Sequence, residues 1–196
     1  MRILIIGAAL VALSACNKPS EQQANEAQAS DNSASPAESG SIKGVDRTHK
    51  GSPAPDVVFN DPGGKQTSLK AFAGKPVLVN LWATWCAPCV KELPTLSRVE
   101  RLGIIKVVAI SQDTGPQPSV KAFLQAKAPD LKPYQDPKMA LSGKLGAEVL
   151  PTSILYDAQG RELWRYVGDL DWNGGDAAKL IQEAYPRLNV VVPPKP

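Results

Sequence analysis

The feature that most constrains this chain is the apolar run Val77-Leu78-Val79-Asn80-Leu81-Trp82. After three residues it is followed by Cys86-Ala87-Pro88-Cys89, and then by apolar residues at Val90, Leu93, Leu96, Val99 and Leu102. The run is short and nearly unbroken, the mark of a strand buried on both faces of a parallel sheet. The later spacing traces one face of a helix. Two thiols therefore stand at a helix N-terminus, where unpaired backbone N–H groups and a partial positive charge favour thiolate over thiol. A free cysteine of pKa ~8.5 is about 3 % thiolate at neutral pH, whereas one near 7 is about half thiolate. Cys86 is expected to be the activated sulfur, and Cys89, one turn deeper, the thiol that attacks a mixed disulfide formed by Cys86. Pro88 suits the first helical turn, where a missing N–H is no loss.

Cys-x-x-Cys alone also occurs in zinc sites and structural bridges. The chain has three cysteines and one histidine; Cys16 has another fate and His49 lies in a polar stretch well upstream of Cys86, so zinc lacks ligands. The strand-then-helix context favours exchange chemistry over a merely structural bridge.

The chain opens with Arg2, an apolar stretch from Ile3 to Leu13, and Leu13-Ser14-Ala15-Cys16. The apolar core is too short for the ~20 residues of a spanning helix and reads as an export signal over residues 1–15. Its end resembles the lipobox of bacterial lipoproteins, in which the cysteine is acylated and becomes the mature N-terminus. That resemblance implies lipidation at Cys16, and Asn17 after it points to the outer rather than the inner membrane. The Cys86/Cys89 pair would then be the only thiols left. Residues 17–41 contain no Val, Ile, Leu, Met or aromatic residue and cannot bury enough surface to fold. Residues 16–51 are accordingly expected to be a flexible tether with an r.m.s. span of about 30 Å, with His49 as one of its solvated residues. Residues 52–189 form one domain with a single core, and residues 190–196 a proline-rich tail.

The formal net charge is +3, from 22 Lys and Arg against 19 Asp and Glu. Without a concentrated basic face, this excludes nucleic acid as the expected partner. No cofactor beyond the redox-active disulfide is called for, and no metal.

Val57–Asn60 and Lys65–Ser68 flank Asp61-Pro62-Gly63-Gly64, which predicts an opening hairpin. Strand 77–82, helix 88–102 and strand 104–110 then form a right-handed parallel crossover. Pro94 is expected to kink the helix. Further helices are expected at 118–126, 139–145 and 176–188, and an antiparallel hairpin at 153–157 and 162–167 around Ala158-Gln159-Gly160. The fold class is α/β, a central mixed sheet flanked by helices.

From Ser52 to Leu188 the chain resembles the TlpA/ResA-like group of thioredoxin-fold thiol–disulfide oxidoreductases. The likeness is carried by Ala54-Pro55-Asp56, by Val79-Asn80-Leu81-Trp82-Ala83-Thr84-Trp85-Cys86-Ala87-Pro88-Cys89, by Glu92, by Val149-Leu150-Pro151-Thr152 and by Asp157-Ala158-Gln159-Gly160. It implies a thioredoxin-like fold with an N-terminal β-hairpin extension, and a cis Pro151 packed opposite the disulfide. The backbone of Leu150 would be left to pair with an extended substrate, and Trp85, Ala87 and Pro88 would complete the substrate-binding wall. Where thioredoxin carries a buried aspartate six residues before its first cysteine, this chain has Asn80, which cannot titrate. Glu92 lies three residues after Cys89 on the same helix face and matches a glutamate of the group. Burial beside a thiol would raise its pKa toward the range of proton transfer at neutral pH. Trp82, Trp164 and Trp172 are expected to be packing residues.

Strong oxidants of this scaffold resemble one another in carrying a histidine between the cysteines; Ala87-Pro88 supplies no charge, which favours a reductase of exported protein disulfides. A candidate substrate is the Cys-x-x-Cys-His of apocytochrome c, and a membrane electron-transfer protein would recharge the pair. The rival readings are a thiol oxidase or isomerase, a peroxide reductase, and a copper chaperone or binding module. The peroxiredoxin run Pro-x-x-x-Thr-x-x-Cys is not reproduced around Cys86, and copper carriers of this fold usually have a wider cysteine spacing and a distal histidine.

Overall fold

The structure is a computed structural model and describes residues 42–187 together with 191 and 193. The expected signal segment, Cys16 and the Ala/Ser/Gln-rich part of the tether lie outside the described residues. Eight strands form one sheet: β1 (Val45–Asp46), β2 (Val58–Asn60), β3 (Gln66–Ser68), β4 (Val77–Trp82), β5 (Lys106–Ser111), β6 (Tyr134–Gln135), β7 (Thr152–Tyr156) and β8 (Glu162–Val167). Their order across the sheet is β1-β8-β7-β4-β5-β6-β2-β3. The central β4, β5 and β6 run parallel, and the remaining pairings are antiparallel. Among the described residues four α-helices connect or flank them, α1 (Ala87–Arg101), α2 (Gln117–Lys127), α3 (Ala140–Leu145) and α4 (Gly175–Gln182), besides a short 3-10 turn at Leu69–Phe72.

The unbroken apolar character of β4 follows from its place at the centre, covered on both faces. Leu78 and Trp82 point into a core built with Leu93, Leu96 and Val99 of α1, Val120 and Leu124 of α2, and Leu180 and Ile181 of α4. Val77, Val79 and Leu81 point the other way, onto Leu141 and Leu145 of α3 and onto Leu69. Each such side chain contributes about 1.5–3 kcal/mol by leaving water. A buried ion pair locks the second layer to the sheet: Arg165 donates to both Glu162 carboxylate oxygens, and its Nη1 donates at 2.7 Å to the Leu145 carbonyl at the end of α3.

The opening hairpin is present, closed by Asp61, whose Oδ1 accepts from the N–H groups of Gly63 and Lys65. It joins the main sheet, because Asn60 of β2 pairs with Gln135 of β6. Residues 42–51, expected to belong to the tether, are in part docked on the domain. Val45 and Asp46 pair with Tyr166 and Arg165 of β8, and Ile42 and Val45 pack on the main core. Gly44 makes that docking possible, since its φ is +92° and a Cβ there would lie 3.0 Å from the Tyr166 ring. His49 is exposed on the turn after β1. The last helix ends at Gln182 and does not reach Leu188; Pro186 disfavours helical backbone at Tyr185, and Gln182 caps the turn through Nε2 to the Tyr185 carbonyl. Helix α1 runs without a break through Pro94.

Candidate active site

The parallel strands β4 and β5 both end at the same edge of the sheet, and the chain leaving β4 must turn sharply into α1. Asp113, just beyond β5, holds that turn. Its carboxyl oxygens accept from the Thr84 N–H at 3.0 Å, from the Thr84 hydroxyl at 2.6 Å and from the Ser111 hydroxyl at 2.6 Å. Two residues later Cys86 is the N-cap of α1, and its Sγ accepts the Cys89 N–H at 3.3 Å. Cys86 and Cys89 are joined in a disulfide. Cys86 keeps 6 % of its surface exposed and Cys89 none, so only one sulfur of the pair has an outer side. Ala87 and Pro88 are exposed on the first turn, with Trp85 before them 67 % exposed.

Below the disulfide, Glu92 is 3 % exposed. Asn80 of β4 donates to its Oε1 at 2.7 Å, while the backbone N–H of Leu170 and the indole N–H of Trp172 donate to Oε2 at 3.1 and 3.3 Å. Its pKa is raised to about 7, because burial, helped by the charge of Asp169, outweighs the three donors that pull it down. Asp169 itself is paired with Lys91 at the surface. A cavity of about 610 Å³ touches both Glu92 and this ion pair, and so brings the buried carboxyl close to bulk water.

Opposite the disulfide, the Leu150–Pro151 peptide bond is cis. Pro151 is buried and its carbonyl accepts the Gly168 N–H at 2.9 Å. Neither the N–H nor the C=O of Leu150 is hydrogen-bonded among the described residues. A groove of about 720 Å³ runs between Leu150, α3 and the Trp85–Pro88 segment, within the ~300–1,000 Å³ range of ligand sites. The structure thus brings Trp85, Cys86, Ala87, Pro88 and Leu150 onto one groove, with Cys89 and Glu92 beneath it. Cys16 lies outside the described residues, and no group of three or more His, Cys, Asp or Glu placed to hold a metal occurs among the described residues.

Residues 49–181 match the family model described as Redoxin. The chain belongs to the Redoxin family. It is similar to the thiol-disulfide oxidoreductase ResA of Bacillus thuringiensis (strain Al Hakam), 32% identical over 123 residues that cover 61% of this chain and 70% of that protein. It is also similar to the thiol:disulfide interchange protein DsbE of Pseudomonas fluorescens biotype C, 32% identical over 141 residues, 67% of this chain and 79% of that one. A crystal structure from Chlorobium tepidum, described as a thiol:disulfide interchange protein DsbE, superposes with a TM-score of 0.60 at 28% identity, covering 69% of this chain and 96% of that chain. This Redoxin is a thiol–disulfide oxidoreductase of the ResA/DsbE type.

Three parts of the Redoxin site had no expected role. Asp113 and Gln112 follow β5, and their only signal is position, since ligand sites gather beyond the carboxyl ends of parallel strands. Trp172 was expected only to pack; its indole N–H is one of the three donors to Glu92.

Proposed function

We propose that this protein is an exported, lipid-anchored reductase of protein disulfides. In this mechanism Cys86 is the nucleophile, Cys89 the resolving thiol and Glu92 the proton acceptor. The reaction begins from the dithiol. The Cys86 thiolate attacks one sulfur of a substrate disulfide, forming a mixed disulfide and expelling a substrate thiolate, which takes a proton from water. Cys89 passes its proton to Glu92, then attacks Cys86 Sγ. The mixed disulfide breaks, the second substrate thiolate leaves and is protonated, and the protein is left with the Cys86–Cys89 disulfide. Two electrons have passed to the substrate, and a dithiol of a membrane electron-transfer protein would restore them.

The observation that carries this reading is the asymmetry of the pair: Cys86 caps α1 at the groove wall, whereas Cys89 is sealed on the side of Glu92. A carboxyl with a pKa of about 7 is ionised in roughly half the molecules at neutral pH and suits an acceptor that must also release its proton. The uncharged Ala87-Pro88 pair supports reduction over oxidation. Lipidation at Cys16 rests on Leu13-Ser14-Ala15-Cys16, and residues 17–41 would let the domain range roughly 25–30 Å from the outer membrane. The Cys-x-x-Cys-His of apocytochrome c is the candidate substrate.

The test is the reduction potential of the pair, measured in glutathione or dithiothreitol buffers by counting alkylated thiols. A value below about −230 mV supports a reductase, and one above about −150 mV overturns it in favour of an oxidase or isomerase. Cys16→Ser is expected to move the protein from the membrane to the soluble fraction.

A further inference from the structure

The two carboxyl oxygens of Glu92 are bonded unequally. Oε2 accepts two N–H groups, from the Leu170 backbone at 3.1 Å and from the Trp172 indole at 3.3 Å, whereas Oε1 accepts one, from Asn80 Nδ2 at 2.7 Å. A carboxylate oxygen has two lone-pair sites, and an N–H can only donate. Oε2 is therefore full, and a proton arriving at the carboxyl meets a free lone pair only on Oε1. The side chain that completes Oε2 is docked on the same helix. Trp172 is fully buried, and its backbone N–H donates at 3.3 Å to the Thr95 hydroxyl, which donates in turn to the Glu92 carbonyl at 2.7 Å. The chain then turns at Asp171, whose Oδ1 accepts the Asn173 N–H at 3.0 Å, and Asn173 Oδ1 accepts from Arg98 at 2.9 Å. Asp169, paired with Lys91, is the charged group of this segment that faces Glu92, while β4 presents the neutral Asn80, itself bonded to Ser153 of β7.

We propose that Trp172 is a positioning residue for proton transfer: by completing Oε2 it directs the proton leaving Cys89 to Oε1 of Glu92. This rests on the proposed role of Glu92 as proton acceptor. The S–H bond breaks with its electron pair left on Cys89 Sγ, an Oε1 lone pair forms the new O–H bond, and the negative charge passes from carboxylate to thiolate. In the acid so formed the Cδ–Oε2 bond is the carbonyl, still accepting both N–H groups.

Trp172→Phe keeps a ring in the core and removes the one donor. The full-length protein and this variant are compared by pH-difference infrared spectroscopy, with the carbonyl stretch of the Glu92 acid identified by its absence from Glu92→Gln. A carbonyl that loses one of two hydrogen bonds stiffens, so the band is expected at higher wavenumber in Trp172→Phe. The pH profile for resolution of a Cys86–glutathione mixed disulfide, read by release of glutathione, is expected to move alkaline by about one unit, because a donor that favours the carboxylate is gone. An unaltered band and profile beside a lowered melting temperature would make Trp172 a packing residue and overturn the proposal. Native-rate resolution in Glu92→Gln would instead strike Glu92 itself as the acceptor. The native protein supplies a measurement independent of how the variant folds. Its Trp172 indole N–H, isotope-labelled and assigned by its closeness to the Leu170 N–H, should shift in the NMR spectrum with the midpoint of the pH profile, and the Trp164 indole, bonded to the Leu180 carbonyl at 3.1 Å, should not. A Trp172 signal indifferent to pH overturns the bond to Oε2 and the proposal with it.

Discussion

Asn80 donates its side-chain amide to Glu92, Nδ2 to Oε1 at 2.7 Å, across the buried contact between β4 and α1. The same nitrogen donates to the Ser153 hydroxyl at 3.0 Å, and Oδ1 has no partner among the described residues. A neutral donor here holds the carboxylate in place without adding charge. Asn80→Asp would put a second carboxyl against the first, and the two would titrate as a pair with the upper pKa pushed above that of Glu92 alone. The pH–rate profile of disulfide exchange is expected to move alkaline by a unit or more. A profile superimposable on that of the native protein would show that the pair does not govern proton transfer.

Glu92→Gln separates the chemistry of the carboxyl from its cost. The folded-state pKa, about 7, lies above the ordinary 4.5 of a glutamate, so the native state prefers the protonated acid. Relative stability is complete below about pH 4.5, falls as pH rises toward 7, and levels off above it, a loss of roughly 3 kcal/mol. Asp169 and Lys91 are the other charged groups at this carboxyl, and they remain ionised across the window. Urea unfolding at pH 5 and pH 8 should show that loss in the native protein and little of it in Glu92→Gln. The variant should also resolve mixed disulfides on the order of 10²-fold more slowly, read by trapping the Cys86 adduct.

The bonds from Asp113 to Thr84 fix the backbone two residues before the N-cap. Asp113→Ala leaves the Thr84 N–H and hydroxyl and the Ser111 hydroxyl without their acceptor, and each donor lost to a charged group is worth about 1.5–3 kcal/mol. The expected result is a lowered denaturation midpoint together with slower alkylation of reduced Cys86, because the sulfur no longer sits in register with the first turn of α1. A stability loss with alkylation unaffected would make Asp113 structural only.

How much of this could be seen in the sequence depends on whether the signal was periodic or positional. β4, α1 and β5 are legible because burial on known faces imposes a pattern: the limits of β4 coincide with expectation, and those of α1 and β5 differ from it by one or two residues. Glu92 was legible through its three-residue spacing from Cys89 on the face that α1 buries. β1 and β6 have two residues each, too few to carry a period, so the docking of residues 42–51 went unseen. Trp172 reaches Glu92 because the segment after β8 folds back across α1, a contact between residues 80 positions apart with no local trace. Gln112 and Asp113 look like ordinary loop polars until the ends of β4 and β5 are set side by side.

That unseen docking bears on where a working fragment begins. A chain started at Ser52 keeps every residue of the site but removes β1, the packing of Ile42 and Val45, and the Arg47–Glu183 ion pair. The exposed ion pair contributes little; the lost apolar contacts and ladder bonds together amount to about 1–3 kcal/mol. For a domain of this size each kcal/mol lowers Tm by roughly 2–4 °C. The edge of β8 is also uncovered, and a bare edge invites pairing between copies. A fragment begun at Ile42 is therefore expected to melt several degrees above one begun at Ser52 and to remain monodisperse where the shorter one self-associates, while both have the same Cys86/Cys89 potential. Equal melting temperatures would mean that β1 adds nothing to the fold.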